Sequence, residues 1–315
     1  MDISVIIVSF NTIEMTKKAL DCLFVSVGNF KMEVFVIDNA SRDQSAEVLR
    51  RDYPDITLIE NKQNVGFGRA NNQAVPLIHS KYVLLLNTDA FVKPDTIIKT
   101  MQYMDAHPKC GMVGVKLLGR DGILQPSCRY FPTPWNIFLE RTNLKKIFKH
   151  VKLVDDMSWD HASVRNCDWV PGCYALIRKE VIDQVGLFDP RYFLYYEEVD
   201  HCFAAKRAGW KVAYFPDTPV VHIGGESAKL ESAISSKSRQ IESLQIESEL
   251  LYFRKNHGLI GVFVHLLLNS LADFILFFKD FIKLRAPATT FFNLNRALFV
   301  WKMFFRTRLA TQPTR

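Results

Sequence analysis

Four short apolar runs separated by helix-like stretches constrain this chain more than any other feature. SVIIVSF (4–10), EVFVIDN (33–39), ITLIEN (56–61) and YVLLLNT (82–88) have strand length and near-continuous hydrophobicity. That pattern belongs to strands covered on both faces. Between them lie helix-like stretches at 13–26, at 43–52 with Asp43 as N-cap, and at 67–79. The β-α-β-α-β-α-β order predicts an α/β fold with a parallel sheet and right-handed crossovers. Ligands of such sheets sit outside the carboxyl ends of the strands. This rule selects Ser9–Asn11, Asp38–Ser41, Asn61–Gly68 and Asn87–Asp89. All four segments are polar, and they are expected to converge on one crevice.

Further along, a helix is expected near Pro94, then shorter strands and loops over 111–135, then a stretch at 136–165 with no clear element. Lys179–Val185 and Val199–Ala208 read as helices, KVAYFP and PVVHI as two strands, and Ala228–Lys255 as a long polar helix. The six cysteines show no metal-type or CxxC spacing, so free thiols in a reducing compartment are expected. The N-terminal segment reads as a first strand, not as a secretory signal.

Charge divides the chain. Ten Lys and Arg against two Asp after residue 253 make the tail +8, which leaves residues 1–253 at −1. The tail holds an apolar segment at 258–278, where His265, Asn269 and Asp273 recur at i+4 as one polar stripe, and a segment at 296–310 mixing Phe and Trp with cations. Both read as interfacial amphipathic helices. The expected division is a domain over 1–257 and membrane-associating helices over 258–315. Packing of the tail on the domain, or a homo-oligomer, is the alternative. No nucleic-acid partner is expected.

Candidate chemistry lies at the strand ends. Asp38 can hold a base or ribose, or merely cap a turn. Gly66 and Gly68 in NVGFGRANN let backbone approach a phosphate, and Arg69 adds a positive charge. The absence of a third glycine speaks against a dinucleotide. Asp89, just after an apolar strand, suits a metal bridging a diphosphate, with Asn87 a weaker oxygen donor. Glu197, Glu198 and Asp200 crowd one helix start, where one can act as general base and the dipole explains at least one of the others. His222 ends an apolar strand before two glycines, which suits a metal or phosphate role about as well as a structural one.

Taken in order, SVIIVSFN, VIDNAS, NVGFGRANN, LLLNTDA, the stretch from PGCYALIRKE to AAKRAGW, and VVHIGGES resemble the family 2 glycosyltransferases of the GT-A fold, rhamnosyltransferase-like members most of all. The resemblance spans roughly residues 3–257. It implies a nucleotide-sugar site at Ser9, Asn11, Asp38, Asn64, Gly66, Arg69, Asn71 and Asn87. It places a Mg²⁺ or Mn²⁺ at Asp89 and His222, an acceptor-side loop at Trp169 and Gly172, and the base at Glu198 with Asp200 beside it. Asn87 departs from the family's first D-x-D aspartate, and Glu198 replaces the usual aspartate.

The implied reaction is a single displacement with inversion, from a nucleotide-sugar to a lipid-linked or polysaccharide acceptor in cell-surface glycan (O-antigen-type) synthesis. dTDP-rhamnose leads as donor, and the cytoplasmic face of the inner membrane is the expected location. A nucleotidyltransferase, an oxidoreductase or a non-catalytic scaffold of the same fold are the alternatives.

Overall fold

The computed structural model describes residues 1–148, 150–224 and 238–315. Strand β1 (Ile3–Ser9) pairs in parallel with β2 (Met32–Asp38) and β4 (Tyr82–Leu86), and β2 pairs in parallel with β3 (Thr57–Glu60). Helices α1 (Ile13–Phe24), α2 (Ser45–Asp52) and α3 (Phe67–Ala74) make the crossovers, so the expected parallel half is present. α3 is shorter than 67–79, because Pro76 falls in a 3₁₀ turn at Val75–Leu77. The N-cap position of α2 is Gln44, one residue after Asp43; the Asp43 carboxylate accepts from the amides of Ser45 and Ile13 and so joins α1 to the start of α2.

The second half adds β5 (Ala90–Phe91), α4 (Thr96–Ala106), β6 (Cys110–Leu118), β7 (Leu124–Gln125), α5 (Pro134–Thr142), β8 (Arg165–Cys167), β9 (Tyr174–Arg178), α6 (Lys179–Val185), α7 (Glu197–Arg207) and β10 (Lys211–His222). The sheet order is β3-β2-β1-β4-β9-β6-β10-β5, with β9 antiparallel to both neighbours. Alternate residues of β1 enter different cores: Ile3, Val5 and Ile7 one, Ile6 the other. Both faces are therefore covered, as the unbroken apolar runs require.

The two strands expected from KVAYFP and PVVHI form one strand, β10. Its pairing with β6 jumps from Phe215↔Val115 to Pro219↔Lys116, so residues between the prolines bulge out. Neither proline has an amide to donate, and the bulge absorbs both without ending the strand. The stretch at 136–165 holds most of α5, which begins with a capping box between Thr133 and Asn136.

The C-terminal region is a hairpin of two helices, α8 (Ser238–Ile282) and α9 (Pro287–Arg306). α8 changes direction at Gly258, whose φ of 70° a glycine adopts without strain. Residues 228–237 of the expected polar helix lie outside the described residues. Leu250, Leu251, Tyr252 and Phe253 of α8 and Val300, Met303 and Phe304 of α9 join the same core as β1 and α7.

The hairpin's polarity is turned inward. Asp273 is 0% exposed and meets Arg141 of α5 and Arg296 of α9, while Asn269 accepts from Arg141 at 2.6 Å. An interfacial helix free of the domain would turn this stripe to water; here α5 covers it. The outer face is apolar: Ile260 is 80% exposed, Leu267 60%, Ile282 76% and Leu284 90%, with Phe274, Phe281, Phe291 and Phe305 also exposed. By length and composition, α8 over Gln240–Ile282 is apolar enough to cross a membrane.

Candidate active site

The polar strand ends meet. Asn39 donates its amide to Ser9 O at 2.8 Å, Asn61 to Asp38 O at 2.9 Å, and the Thr12 hydroxyl to Thr88 at 3.3 Å. Ser9 pairs with Thr16 inside this cluster, and Asn11, at φ 53°, accepts from the amide of Arg42. Asn39 and Asn64 then lock the loop after β3: Asn39 donates to Asn64 Oδ1 at 2.9 Å, and Asn64 Oδ1 also accepts from the Gly66 amide. Asp38 is buried, with Oδ2 accepting from the Ser41 amide and Oδ1 lacking a partner among the described residues. Burial raises its pKa, against the two Ser41 hydrogen bonds. A buried carboxylate oxygen with no donor is ready to accept one from a ligand.

The glycine loop packs against the segment that leads into α7. A Cβ on Gly66, at φ 89°, would stand 2.5 Å from the carbonyl oxygen of Phe193. Glycine at 66 is therefore required by the loop before α7. Arg69 donates to Pro190 O at 2.7 Å and to Arg315 O, and Asn71 donates to Phe67 O. These side chains hold the loop against the segment that carries the acidic cluster.

At the end of β4, Asp89 is buried and its Oδ1 lies 3.5 Å from His222 Nε2. The Gly224 amide donates to Asp89 Oδ2 at 3.0 Å, and β5 pairs with β10 at Ala90↔His222. Gln125 fixes the imidazole through Nδ1 at 2.8 Å. Burial lowers the His222 pKa against the pull of Asp89, which keeps the ring neutral and able to ligate. Among the described residues no third His, Cys, Asp or Glu joins them. Asn87, half-exposed two residues before Asp89, adds a neutral oxygen. Two protein donors on one point fit a cation whose other ligands come from a diphosphate and water.

The acidic cluster is aimed by backbone strain. Tyr195 and Tyr196 stand consecutively at φ 70° and 68°, a region costly for aromatic residues. α7 starts immediately afterwards. Glu197 is buried under Gly68, and burial, then Glu198, raises its pKa well above the usual range. Glu198 is half-buried and lines a cavity of about 470 Å³, with Oε2 unpartnered among the described residues. Burial raises its pKa too, opposed by backbone amides and by Arg129. Asp200 turns elsewhere: it accepts from Lys255 at 2.6 Å and Asn256 at 2.8 Å, tying α7 to α8.

Trp169 forms another wall of that cavity, held by its indole donating to Tyr130 O at 2.9 Å and by Arg129 stacked 4.1 Å from the ring. Gly172 is buried behind Glu198: a Cβ there would lie 4.0 Å from that of Glu198. Sequence reasoning missed Arg129, Glu242, Glu249 and Arg296, which complete the walls. The last three come from the hairpin, and no local motif marks them; only the charge of Arg296 inside an apolar segment hinted at a buried partner.

Comparisons with known proteins give the family and the fold. An N-acetylglucosaminyl-diphospho-decaprenol L-rhamnosyltransferase of Mycobacterium tuberculosis is 26% identical over 210 residues, 61% of this chain and 66% of that relative, just under two thirds of its length. The dTDP-rhamnosyl transferase RfbF of Shigella flexneri is 24% identical over 81% of both chains. The mannosyltransferase PcManGT of Pyrobaculum calidifontis, solved with GDP-Man and Mn²⁺, superimposes with a TM-score of 0.54 at 17% identity, covering 98% of this chain and 83% of that one, a likeness of fold. The model of the family described as "Glycosyltransferase like family 2" matches residues 1–243, and with a GT-A fold around these strand ends the chain belongs to the family 2 glycosyltransferases.

Proposed function

We propose that this enzyme transfers a sugar with inversion from a nucleotide-sugar to a lipid-linked or polysaccharide acceptor, with rhamnose from dTDP-rhamnose as the first donor to test. The observation that carries this reading is the position of Glu198, which lines a walled cavity with an unpartnered, poorly solvated carboxylate oxygen. Its raised pKa makes it a stronger base than an exposed glutamate.

In this reading Glu198 takes the proton of an acceptor hydroxyl held in the cavity against the Trp169–Arg129 wall. The hydroxyl oxygen forms its bond to the anomeric carbon as the bond to the nucleoside diphosphate breaks on the opposite face. The electron pair leaves on the diphosphate, and the configuration inverts. A Mg²⁺ or Mn²⁺ held by Asp89 and His222 would neutralise the diphosphate charge. Asp38 Oδ1 suits the imide N–H of thymine or uracil, and the Asn39–Asn64 lock keeps its loop in place. Names of the relatives support rhamnose as the sugar.

The hairpin supports placement on a membrane surface, at the cytoplasmic face of the inner membrane. Its outward apolar face continues into Lys279, Lys283 and Arg285 at the turn, cations that match anionic head groups. The test of the whole reading is direct. The protein is incubated with dTDP-rhamnose, UDP- and GDP-sugars in turn, and nucleoside diphosphate release is followed. Release from none of them, with the protein folded and Mn²⁺ present, overturns it.

A further inference from the structure

The cavity at Glu198 does not end at the catalytic domain. Its far wall is Glu242, Gln245, Ile246 and Glu249 of α8 with Arg296 of α9. A second cavity, of about 570 Å³, shares Glu242 and Arg296 with the first and continues along Ala288, Phe292, Asn295 and Phe299. A third, of about 510 Å³, shares Ala288 and Phe292 with the second and ends among Lys279, Asp280 and Arg285 at the hairpin turn. The three form one groove. Residues 288, 292, 295, 296 and 299 recur at helical spacing, so a single face of α9 floors it for about 16 Å at 1.5 Å per residue.

The lining changes along the way. Five carboxylates, Glu198 among them, and three arginines, with Trp169 and Tyr196, line this end, a mixture that hydrogen-bonds hydroxyls. Along the floor of α9, Phe292 and Ala288 stand between Arg296 and the turn, and Phe299 stands one turn to the other side of Arg296. At the far end Lys279 and Arg285 flank Asp280, and the exposed Phe281, Ile282 and Leu284 follow in the turn. A ligand matching this lining has a polar, hydroxyl-bearing head and an apolar tail that runs along Phe292 and Ala288 toward the hairpin turn.

Resting on the proposed transfer to a lipid-linked acceptor, we infer that the groove between α8 and α9 holds the first isoprenoid units of that acceptor's lipid and guides its sugar to Glu198. The hairpin is then part of the acceptor site and not merely an anchor. Burial of an apolar chain against Phe292 and Phe299 supplies affinity, while the carboxylate and arginine end selects the head.

The test uses the full-length protein and fluorescently labelled farnesyl diphosphate as probe, read by anisotropy. Ala288 and Asn295 are exposed, so A288W and N295W fill the groove without removing core contacts. Each is expected to weaken probe binding at least about tenfold, while dTDP binding by thermal shift is unchanged. L267E, on the outer face, is expected to leave probe binding as it was. Binding that survives both tryptophans, binding lost only in L267E, or no binding of the probe at all overturns the groove. Failure of the glycosyl-transfer reading shows separately, as absence of nucleoside diphosphate release from every donor whatever the probe does.

Discussion

The Phe193 carbonyl oxygen stands 2.5 Å from where a side chain on Gly66 would begin, and it accepts a hydrogen bond from the Phe67 amide at 2.8 Å. The loop after β3 and the segment leading into the acidic helix are thus one unit. Phe193, Tyr195 and Tyr196 run directly into Glu197 and Glu198, so the register of the loop after β3 decides where the carboxylates point.

Gly66→Ala is expected to damage both stability and catalysis. An alanine at φ 89° carries backbone strain of about 1–3 kcal/mol, and its methyl must push Phe193 aside. The melting temperature should fall, and transfer should drop by at least tenfold while dTDP-sugar binding at Asp38 changes little. Wild-type transfer in Gly66→Ala would show that the two loops are not mechanically joined.

Glu198→Gln keeps shape but cannot accept the proton. General-base loss typically removes about 10²–10⁴-fold of rate, so turnover should fall by that range with donor affinity retained. Near-normal turnover would move the base elsewhere.

The sign of the pH effect follows from the raised pKa of Glu198. Its basic form is lost as pH falls through a value above the ~4.3 of an ordinary glutamate. The acid limb of kcat/KM is expected above that value in the wild type. Removing the opposing cation with Arg129→Met should move the limb further up. A limb at or below ~4.3 contradicts the burial argument.

Asp89 and His222 predict a metal requirement with a weak site. EDTA should suppress transfer, and Mn²⁺ should restore it. Because Asn87 supplies no charge, Asn87→Asp should lower the Mn²⁺ concentration for half-maximal activity by roughly tenfold, since charge count tunes affinity. Transfer indifferent to EDTA would mean that Asp89 acts without a cation.

Asp273 anchors the hairpin between Arg141 and Arg296. Breaking such a buried pair typically costs about 3–5 kcal/mol, so Asp273→Ala should lower the melting temperature sharply. By contrast, Leu267→Glu with Phe274→Glu on the outer face should leave folding intact and abolish flotation with anionic vesicles. Flotation unaffected by both charges, or a dimer that buries this face and ignores vesicles, would reject membrane placement.

The legible part of this protein is local. Unbroken apolar runs announce strands covered on both faces, and turn residues at their carboxyl ends announce the crevice holding Asp38, Asn64 and Asp89. The acidic start of α7 was visible as well, because three carboxylates in four residues cannot hide in a composition. Asp200, indistinguishable there from Glu198, needed coordinates: only the position of Lys255 on a later helix assigns it to an ion pair.

The hairpin was legible as helix and as amphipathic, but its inside and outside were not. His265, Asn269 and Asp273 define a polar stripe by spacing alone, yet spacing does not say whether water or protein faces it. Arg141, more than 120 residues earlier, supplies the answer by neutralising Asp273 where water is excluded. The sequence therefore determined which residues share a face or a strand end, through periodicity set by backbone geometry. The tertiary structure decided which face is buried and which carboxylate stands in the cavity, because both depend on partners brought together from distant parts of the chain.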